Sequence, residues 1–278
     1  MKKRLIVLDI GANKGEFLSH ILKSNSNTKV FAIEPNKLIC MDSLEKLKNY
    51  YEDRLHIEYK ALSKKSGKQL LHGANLMNGQ LGSLLPINKE SQGWSMHNEI
   101  MNSNKSQNII VEVSSVEKFV KNSDISKIDL LKIDTQGTDL IILKEFLSLT
   151  EVKVGIVEVD IGKFNFGSRY KNSKNDINEL ILILREHKLL ITRIIPNNSN
   201  SDEFNVFFAK SFGDFESIFL TLDLKHNPTL SRYSKIQGLY TNSNLSTVYL
   251  LRRFVKKIAT GVLHPRSSIK SLIIKAIS

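Results

Sequence analysis

The sequence has little cysteine and no long apolar run. Cys40 is the single cysteine among 278 residues, so the chain forms no internal disulfide and has no cysteine cluster for zinc. A reducing compartment is therefore expected, and we expect no metal site. The start, MKKRLIVLDIGANKG, is positively charged like a signal peptide, but Asp9 interrupts the apolar run that begins at Leu5. This run is too short for a signal core or a membrane span, and we expect a cytoplasmic protein.

Acidic residues are absent from the C-terminal part of the chain. From Lys225 onward there are ten Lys and Arg and no Asp or Glu, which accounts for +10 of the net charge of +12. Residues 1–224 therefore carry only the remaining +2. The main domain thus has no strong compositional bias toward a polyanion.

A turn with two glycines follows the first predicted strand, residues 5–8. Asp9, Gly11 and Gly15 follow, and a helical pattern begins near Glu16. The spacing is not the G-x-G-x-x-G of dinucleotide sites, and Asp9 would repel a phosphate. The two glycines let the backbone approach a ligand closely. A carboxylate here suits a ligand with a cationic or donor end, such as the ammonium of an amino acid.

A second acidic residue, Glu34, ends the next predicted strand, residues 30–33. An acid at this place can accept both hydroxyls of a ribose, as in Rossmann-like sheets. Asp9 and Glu34 together describe a ligand with an amino-acid end and a nucleoside end, which is S-adenosylmethionine. Burial of Asp9, or rotation of Glu34 away from the ligand, would contradict this interpretation.

A third alternating strand is predicted over residues 55–62, and Ala61, Leu62 and Ser63 either border the adenine, mainly through their backbone, or only enter a turn. Residues 70–108 have no clear period, and a stretch this long is either functional or disordered. Within it, Trp94 and His97 either contact a substrate or lie in a surface loop. The strand-like residues 109–113 are assigned to an insertion.

The second informative stretch is IDLLKIDTQGTD, residues 128–139. A buried strand ends at Asp134, which we expect to face the same cleft as Asp9 and Glu34, because ligands bind outside the carboxyl ends of strands in open α/β sheets. Lys132 points to the same side as Asp134, and a lysine in an apolar strand needs a partner. Asp134 or Glu158 could be that partner.

The remaining pattern predicts a strand over 154–159, a helix over 176–186 and two closing strands over 189–195 and 204–209. These elements give an α/β, Rossmann-like fold with a seven-stranded, mostly parallel sheet, helices on both faces and an antiparallel hairpin at its end. We expect residues 1–210 to form this domain. Residues 211–278 would form a basic, helical C-terminal extension.

Several motifs resemble the FkbM family of class I S-adenosylmethionine-dependent methyltransferases: LDIGANKGEF, IEPN around Glu34, ALS at Ala61, LGSL around Gly82, and DLLKIDTQGTDLIILK. The resemblance covers roughly residues 5–160 and implies O-methylation of a hydroxyl, often on a sugar or a polyketide-like natural product. It carries over as cofactor contacts Asp9, Gly11, Asn13, Gly15 and Glu34, and places Asp134 at the reacting face. The family usually has a glutamate where Gln136 stands, and often one where Asp139 stands.

The expected chemistry is removal of a proton from the acceptor hydroxyl as the new bond forms. Our hypothesis is that Asp134 accepts this proton or positions the hydroxyl, with Lys132 orienting Asp134 and His97 as the alternative base. The competing interpretation is that Lys132 and Asp134 form only a structural ion pair.

The basic tail and the cofactor motif leave other functions open. Apolar residues recur at helical spacing over residues 245–262 and 269–277, beside basic ones. Such helices lie on anionic membranes, pack onto a partner or form a solvated face, and peripheral contact with the inner face of a membrane is one of these alternatives. A nucleic-acid methyltransferase would also use a basic tail, but Thr-Gln-Gly follows Asp134 in place of a DPPY- or NPPY-like motif. A non-catalytic binding module is the third alternative.

Overall fold

The computed structural model describes residues 4–91, 107–160, 169–196 and 203–231. The strands are β1 Leu5–Ile10, β2 Thr28–Ile33, β3 Leu55–Glu58, β4 Ala61–Ser63, β5 Gly67–Leu71, β6 Ile109–Ser115, β7 Lys127–Ile133, β8 Glu151–Asp160, β9 Leu190–Pro196 and β10 Glu203–Ala209. The helices are α1 Glu16–Ser24, α2 Lys37–Tyr51, α3 Val116–Ser123, α4 Asp139–Leu149, α5 Ile177–Glu186, α6 Phe212–Thr221 and the single turn α7 Pro228–Ser231. Short 3₁₀ turns cover Glu52–Arg54, Leu76–Gly79 and Leu224–His226.

The main sheet has seven strands in the order β3-β2-β1-β7-β8-β10-β9. Strands β3, β2, β1, β7 and β8 are parallel, and β10 runs antiparallel to both β8 and β9. Both faces are covered, since Val7 packs in one apolar cluster with α1 and Leu8 packs in another with α4. The Rossmann-like fold class predicted from the sequence is confirmed, including its antiparallel ending.

A second, three-stranded sheet has the order β4-β6-β5. The prediction of one strand over residues 55–62 is therefore wrong. The chain turns after Glu58, where Lys60 N–H donates to the Glu58 carbonyl at 3.0 Å, and β4 leaves the main sheet to pair with β6. The strand assigned to an insertion is real, and it lies at the centre of this small sheet.

Residues 211–231 pack onto the main domain rather than extending from it. Phe215, Ile218, Leu222 and Leu224 are buried in the same apolar cluster as α1 and β10, and the fully buried Asn227 donates from Nδ2 to the Phe17 carbonyl at 3.2 Å. The predicted boundary at residue 210 is thus too early, because these residues complete one face of the sheet. The basic segments at 245–277 lie outside the described residues.

Candidate active site

A cleft of about 480 Å³ lies at the carboxyl ends of the central strands. It opens where β1 stands between β2 and β7, which is the point where the strand order reverses and where open α/β sheets bind ligands. Its volume lies in the usual range for small-molecule sites. The predicted residues that line it are Gly11, Asn13, Glu34, Ala61, Leu62 and Asp134, together with Lys132.

Glu34 is held in this cleft by two backbone donors. Its Oε2 accepts from the N–H of Asn13 at 2.8 Å, and its Oε1 accepts from the N–H of Asn36 at 2.8 Å. A carboxylate has about four acceptor positions, so both oxygens retain capacity for a further donor. Burial raises the pKa of Glu34 to about 7, against the effect of the two backbone donors. The residue thus has the location and chemistry for a pair of ribose hydroxyls.

Asp9 was predicted to face the cleft, but it does not contact it. It is 0% exposed and does not line the cavity, and its Oδ1 accepts from Lys132 Nζ at 3.1 Å. Its partner lies 123 positions away in sequence, which explains why local motif reasoning assigned the carboxylate to a ligand. This burial removes the argument that Asp9 binds an ammonium group directly, and with it the argument for S-adenosylmethionine from two acids in one cleft.

The two predicted cofactor glycines are required mainly by contacts within the protein. Gly11 has φ +83°, and a Cβ there would lie 1.8 Å from the backbone oxygen of Asp134, so glycine lets β1 and β7 approach each other beneath the cleft. Gly15 has φ +81°, does not line the cleft, and would clash with Leu47 of α2 at 2.7 Å. The expectation that both approach a ligand is therefore wrong for Gly15.

Ala61 and Leu62 border the cleft where β4 begins, and both are buried. They lie in the small sheet rather than at the end of a strand of the main sheet, and their contact with the adenine stays a prediction. Ser63 does not line the cavity. His97 and Trp94 lie outside the described residues.

Lys132 joins the two acids at the ends of β1 and β7. Its Nζ lies 3.1 Å from Asp9 Oδ1 and 3.6 Å from Asp134 Oδ2, and its side chain is 8% exposed. Burial lowers the pKa of Lys132, but the carboxylates of Asp9 and Asp134 outweigh it and the net shift is upward. The predicted Asp134 partner is confirmed, and the closer partner, Asp9, was missed.

Three further groups around Asp134 were not predicted as site residues. The amide Nε2 of Gln136 donates to Asp134 Oδ1 at 3.0 Å and to Glu158 Oε1 at 3.2 Å. The Tyr170 hydroxyl donates to Gln136 Oε1 at 2.9 Å. The sequence marked Gln136, because the resembled family usually has a glutamate there, and it marked Glu158 as an acid near the end of a strand. Tyr170 carried no sequence signal.

Asp139 shapes the loop that carries Asp134. This fully buried carboxylate accepts from the N–H of Thr135 at 2.7 Å and from the N–H of Gly137 at 2.9 Å. Burial raises its pKa to about 6. It thereby satisfies two backbone donors in the loop before α4, which fixes this loop at the edge of the cleft.

Comparison with known proteins identifies the family. The family sequence model described as the FkbM methyltransferase domain matches residues 9–189. The chain belongs to the FkbM methyltransferase family. S-adenosylmethionine is the methyl donor that this membership implies, and the predicted cofactor residues Glu34, Gly11 and Asn13 line the cleft.

Solved structures show weaker similarity. A Burkholderia thailandensis 1,6-didemethyltoxoflavin N1-methyltransferase, with its substrate and S-adenosylhomocysteine bound, is 11% identical, with 75% of this chain and 72% of that chain covered and a TM-score of 0.39. An O-methyltransferase from Planctomyces limnophilus in complex with apigenin is 8% identical, covers 76% and 52%, and has a TM-score of 0.40.

An O-methyltransferase of neocarzinostatin biosynthesis, in complex with S-adenosylmethionine and a naphthoic acid, is 10% identical, covers 73% and 48%, and has a TM-score of 0.36. The chain thus spans about half the length of the neocarzinostatin and Planctomyces enzymes. No curated protein matches the chain significantly. Within the described residues, no helix has the length and apolar character to span a membrane.

Proposed function

We propose that this methyltransferase transfers a methyl group from S-adenosylmethionine to a hydroxyl oxygen of a sugar, glycan or natural product. The observation that carries the proposal is the placement of Glu34 and Asp134 in one cleft, on either side of the β1 turn. Glu34 offers acceptors to a ribose, and Asp134 offers an acceptor to a hydroxyl proton. Without Asp134 the cleft would support cofactor binding alone. Without both carboxylates it would support neither role.

In this mechanism the residues of the chain position the acceptor and move its proton. When bound, S-adenosylmethionine would supply an electrophilic methyl group and leave as S-adenosylhomocysteine, so that the broken carbon–sulfur bond balances the new carbon–oxygen bond. Asp134, whose side chain is 33% exposed at the cleft, accepts a hydrogen bond from the acceptor hydroxyl and takes its proton as the carbon–oxygen bond forms. Lys132 fixes the Asp134 carboxylate from below, and Asp9 holds Lys132. Orientation of the hydroxyl supplies much of the rate.

The test uses the full chain with S-adenosylmethionine carrying a labelled methyl group, incubated with separate glycan, small-molecule and nucleic-acid fractions. The proposal expects label in the glycan or small-molecule fraction, on products heavier by the mass of one CH₂ group. Label in nucleic acid would favour the nucleic-acid alternative. Cofactor binding with no labelled product in any fraction would favour the non-catalytic module.

We further propose that the basic segment at residues 245–277 contacts an anionic membrane surface, which would suit a lipid-linked acceptor. The support is its charge, with Arg252, Arg253, Lys256 and Lys257 beside apolar residues at helical spacing. Each basic residue near such a surface contributes about 1 kcal/mol. The full chain should therefore sediment with phosphatidylserine vesicles and not with phosphatidylcholine vesicles. Replacing these four residues with Gln should abolish sedimentation, and equal sedimentation of both proteins would refute the contact.

A further inference from the structure

One wall of the cleft is formed by residues 74–84, which follow β5 and include the LGSL motif around Gly82. We call this segment the strap. Residues 77–82 and Leu84 line the cleft. The regular structure of the strap is limited to the 3₁₀ turn Leu76–Gly79 and a bridge at Ser83. Individual contacts must therefore hold the strap against the rest of the fold.

The strap turns through three consecutive residues with positive φ. Met77 has φ +47°, Asn78 has φ +57° and Gly79 has φ +85°. Glycine adopts this conformation readily, but a residue with a side chain does so at a cost and needs surrounding contacts to hold it. Gly79 is also required by packing, because a Cβ there would lie 2.9 Å from Asn36 Nδ2. The turn thus rests directly on the side chain of Asn36.

Asn36 connects the strap to the loop that carries Glu34. Its Nδ2 donates to the Ala74 carbonyl at 2.6 Å, and its backbone N–H donates to Glu34 Oε1 at 2.8 Å. Asn36 is 1% exposed, and its Oδ1 has no hydrogen-bond partner among the residues that the structure describes. A buried acceptor without a partner is costly, so packing alone does not explain an amide at this position. The donor that the amide supplies to the strap does explain it.

The other end of the strap is attached to the loop that carries Asp134. Ser83, which is 1% exposed, donates from Oγ to the Gln136 carbonyl at 2.7 Å. The backbone of Ser83 also pairs with His72, with N–H to carbonyl distances of 3.0 and 2.7 Å. The strap therefore spans the cleft between the loops that follow β2 and β7.

The cleft is apolar where the strap meets the small sheet. Ala61, Leu71 and Leu84 line it there and pack in one apolar cluster. Ala61 begins β4 shortly after Glu58, whose carbonyl accepts from the Glu34 N–H at 3.0 Å. The strap itself has no charged side chain. An uncharged, flat ring with apolar faces, next to hydroxyls that donate to Glu34, matches this part of the cleft.

We propose that the strap is the wall of the cofactor site that contacts adenosine, and that Asn36 is the positioning residue that ties this wall to Glu34. The ribose of the bound cofactor would lie at Glu34, and its adenine against the small sheet and the strap. The inference rests on the proposed function, since it assigns further residues to the cofactor site of the same reaction.

The first test measures amide hydrogen exchange of the full chain by mass spectrometry, alone and with S-adenosylhomocysteine or adenosine. Each ligand should slow exchange in peptides from residues 75–84 by about threefold or more, because the strap contacts the adenosine that both ligands share. Peptides from α5, which does not line the cleft, provide the internal reference. Unchanged exchange of the strap in protein that binds S-adenosylhomocysteine would overturn the inference.

The second test measures the affinity for S-adenosylhomocysteine by calorimetry. Asn36→Ala removes the donor to Ala74 but keeps the backbone N–H that binds Glu34, and it should weaken binding about tenfold. Asn25→Ala is the matched control, because Asn25 Nδ2 also donates to a backbone carbonyl, that of Thr221 at 3.2 Å, but lies outside the cleft. This control should keep the wild-type affinity.

Gly79→Ala changes the same contact from the side of the strap and should also weaken binding. In the double variant, Asn36→Ala removes the atom that the new Cβ would meet, so the double variant should bind about as weakly as the weaker single variant. General damage to the fold would make the two effects add. Additive effects, or wild-type affinity in both single variants, would overturn the inference. Absence of S-adenosylmethionine and S-adenosylhomocysteine binding by the wild type would instead refute the proposed function.

Discussion

Asp9 and Asp134 share Lys132 but differ in burial, and this difference separates structure from chemistry. Asp9 is fully buried, whereas the Asp134 side chain is 33% exposed and lines the cleft. Removing Asp9 leaves the buried Lys132 with only the longer contact to Asp134, and loss of a partner from a buried ion pair typically costs about 3 kcal/mol. An exposed partner costs less because water screens its charge.

We therefore expect Asp9→Asn to lower the free energy of unfolding by about 3 kcal/mol in urea titrations. Asp134→Asn should cost less than about 1 kcal/mol but reduce turnover by about 100-fold, with the affinity for S-adenosylmethionine within about threefold of wild type. Equal turnover of wild type and Asp134→Asn would remove Asp134 from the mechanism. If only Asp134→Asn lost stability, the structural role assigned to Asp9 would belong to Asp134 instead.

Glu34 gives the cofactor site a pH dependence, since its pKa is raised to about 7. An acid with a raised pKa in the folded state stabilises the fold below its unfolded value of 4.5, and this stabilisation is lost as the pH rises through about 7. Hydroxyl donors favour the ionised carboxylate instead, so the affinity for S-adenosylmethionine should rise as the pH increases through about 7. Calorimetry on both sides of this pH would measure the change, and Glu34→Gln should abolish it.

At the scale of elements, the turn between β1 and α1 is constrained by packing beneath it. Gly15 has φ +81°, and a Cβ there would lie 2.7 Å from Leu47 and 3.0 Å from Leu44 of α2. Gly15→Ala should lower the free energy of unfolding by about 2 kcal/mol, because it combines a left-handed conformation with a clash. Gly213→Ala, in α6 with open space around it, should be neutral or slightly stabilising. Comparable urea midpoints for the two variants would contradict this account of the turn.

At the scale of the whole molecule, residues 211–231 belong to the same folded unit as the sheet. Leu222, just after α6, is fully buried, whereas Leu220 on α6 is 75% exposed. Leu222→Ala should cost about 3 kcal/mol within a single unfolding transition, and Leu220→Ala less than about 0.5 kcal/mol. An early separate transition in Leu222→Ala would restore the domain boundary at residue 210.

The strands of the main sheet were predictable because their signal is local. The mainly apolar stretch at 128–133 indicates a buried strand, and the acids at the strand ends indicate which edge of the sheet carries the carboxyl ends. The burial of Asp9 and the bridge at Gln136 were not predictable, because their partners are distant in sequence: Lys132 for Asp9, and Tyr170 for Gln136. Residues 211–231 were assigned to a separate extension because the sequence does not show that their apolar side chains pack against a face of the main sheet.

The most direct measurement of the central claim is calorimetric titration of the full chain with S-adenosylmethionine, in parallel with Glu34→Gln and Glu186→Gln. Glu186 is an exposed residue at the end of α5, so it provides the same chemical change away from the cleft. The account predicts one binding site, at least tenfold weaker binding by Glu34→Gln, and wild-type affinity for Glu186→Gln. No binding by the wild type, or equal affinity in Glu34→Gln, would contradict it.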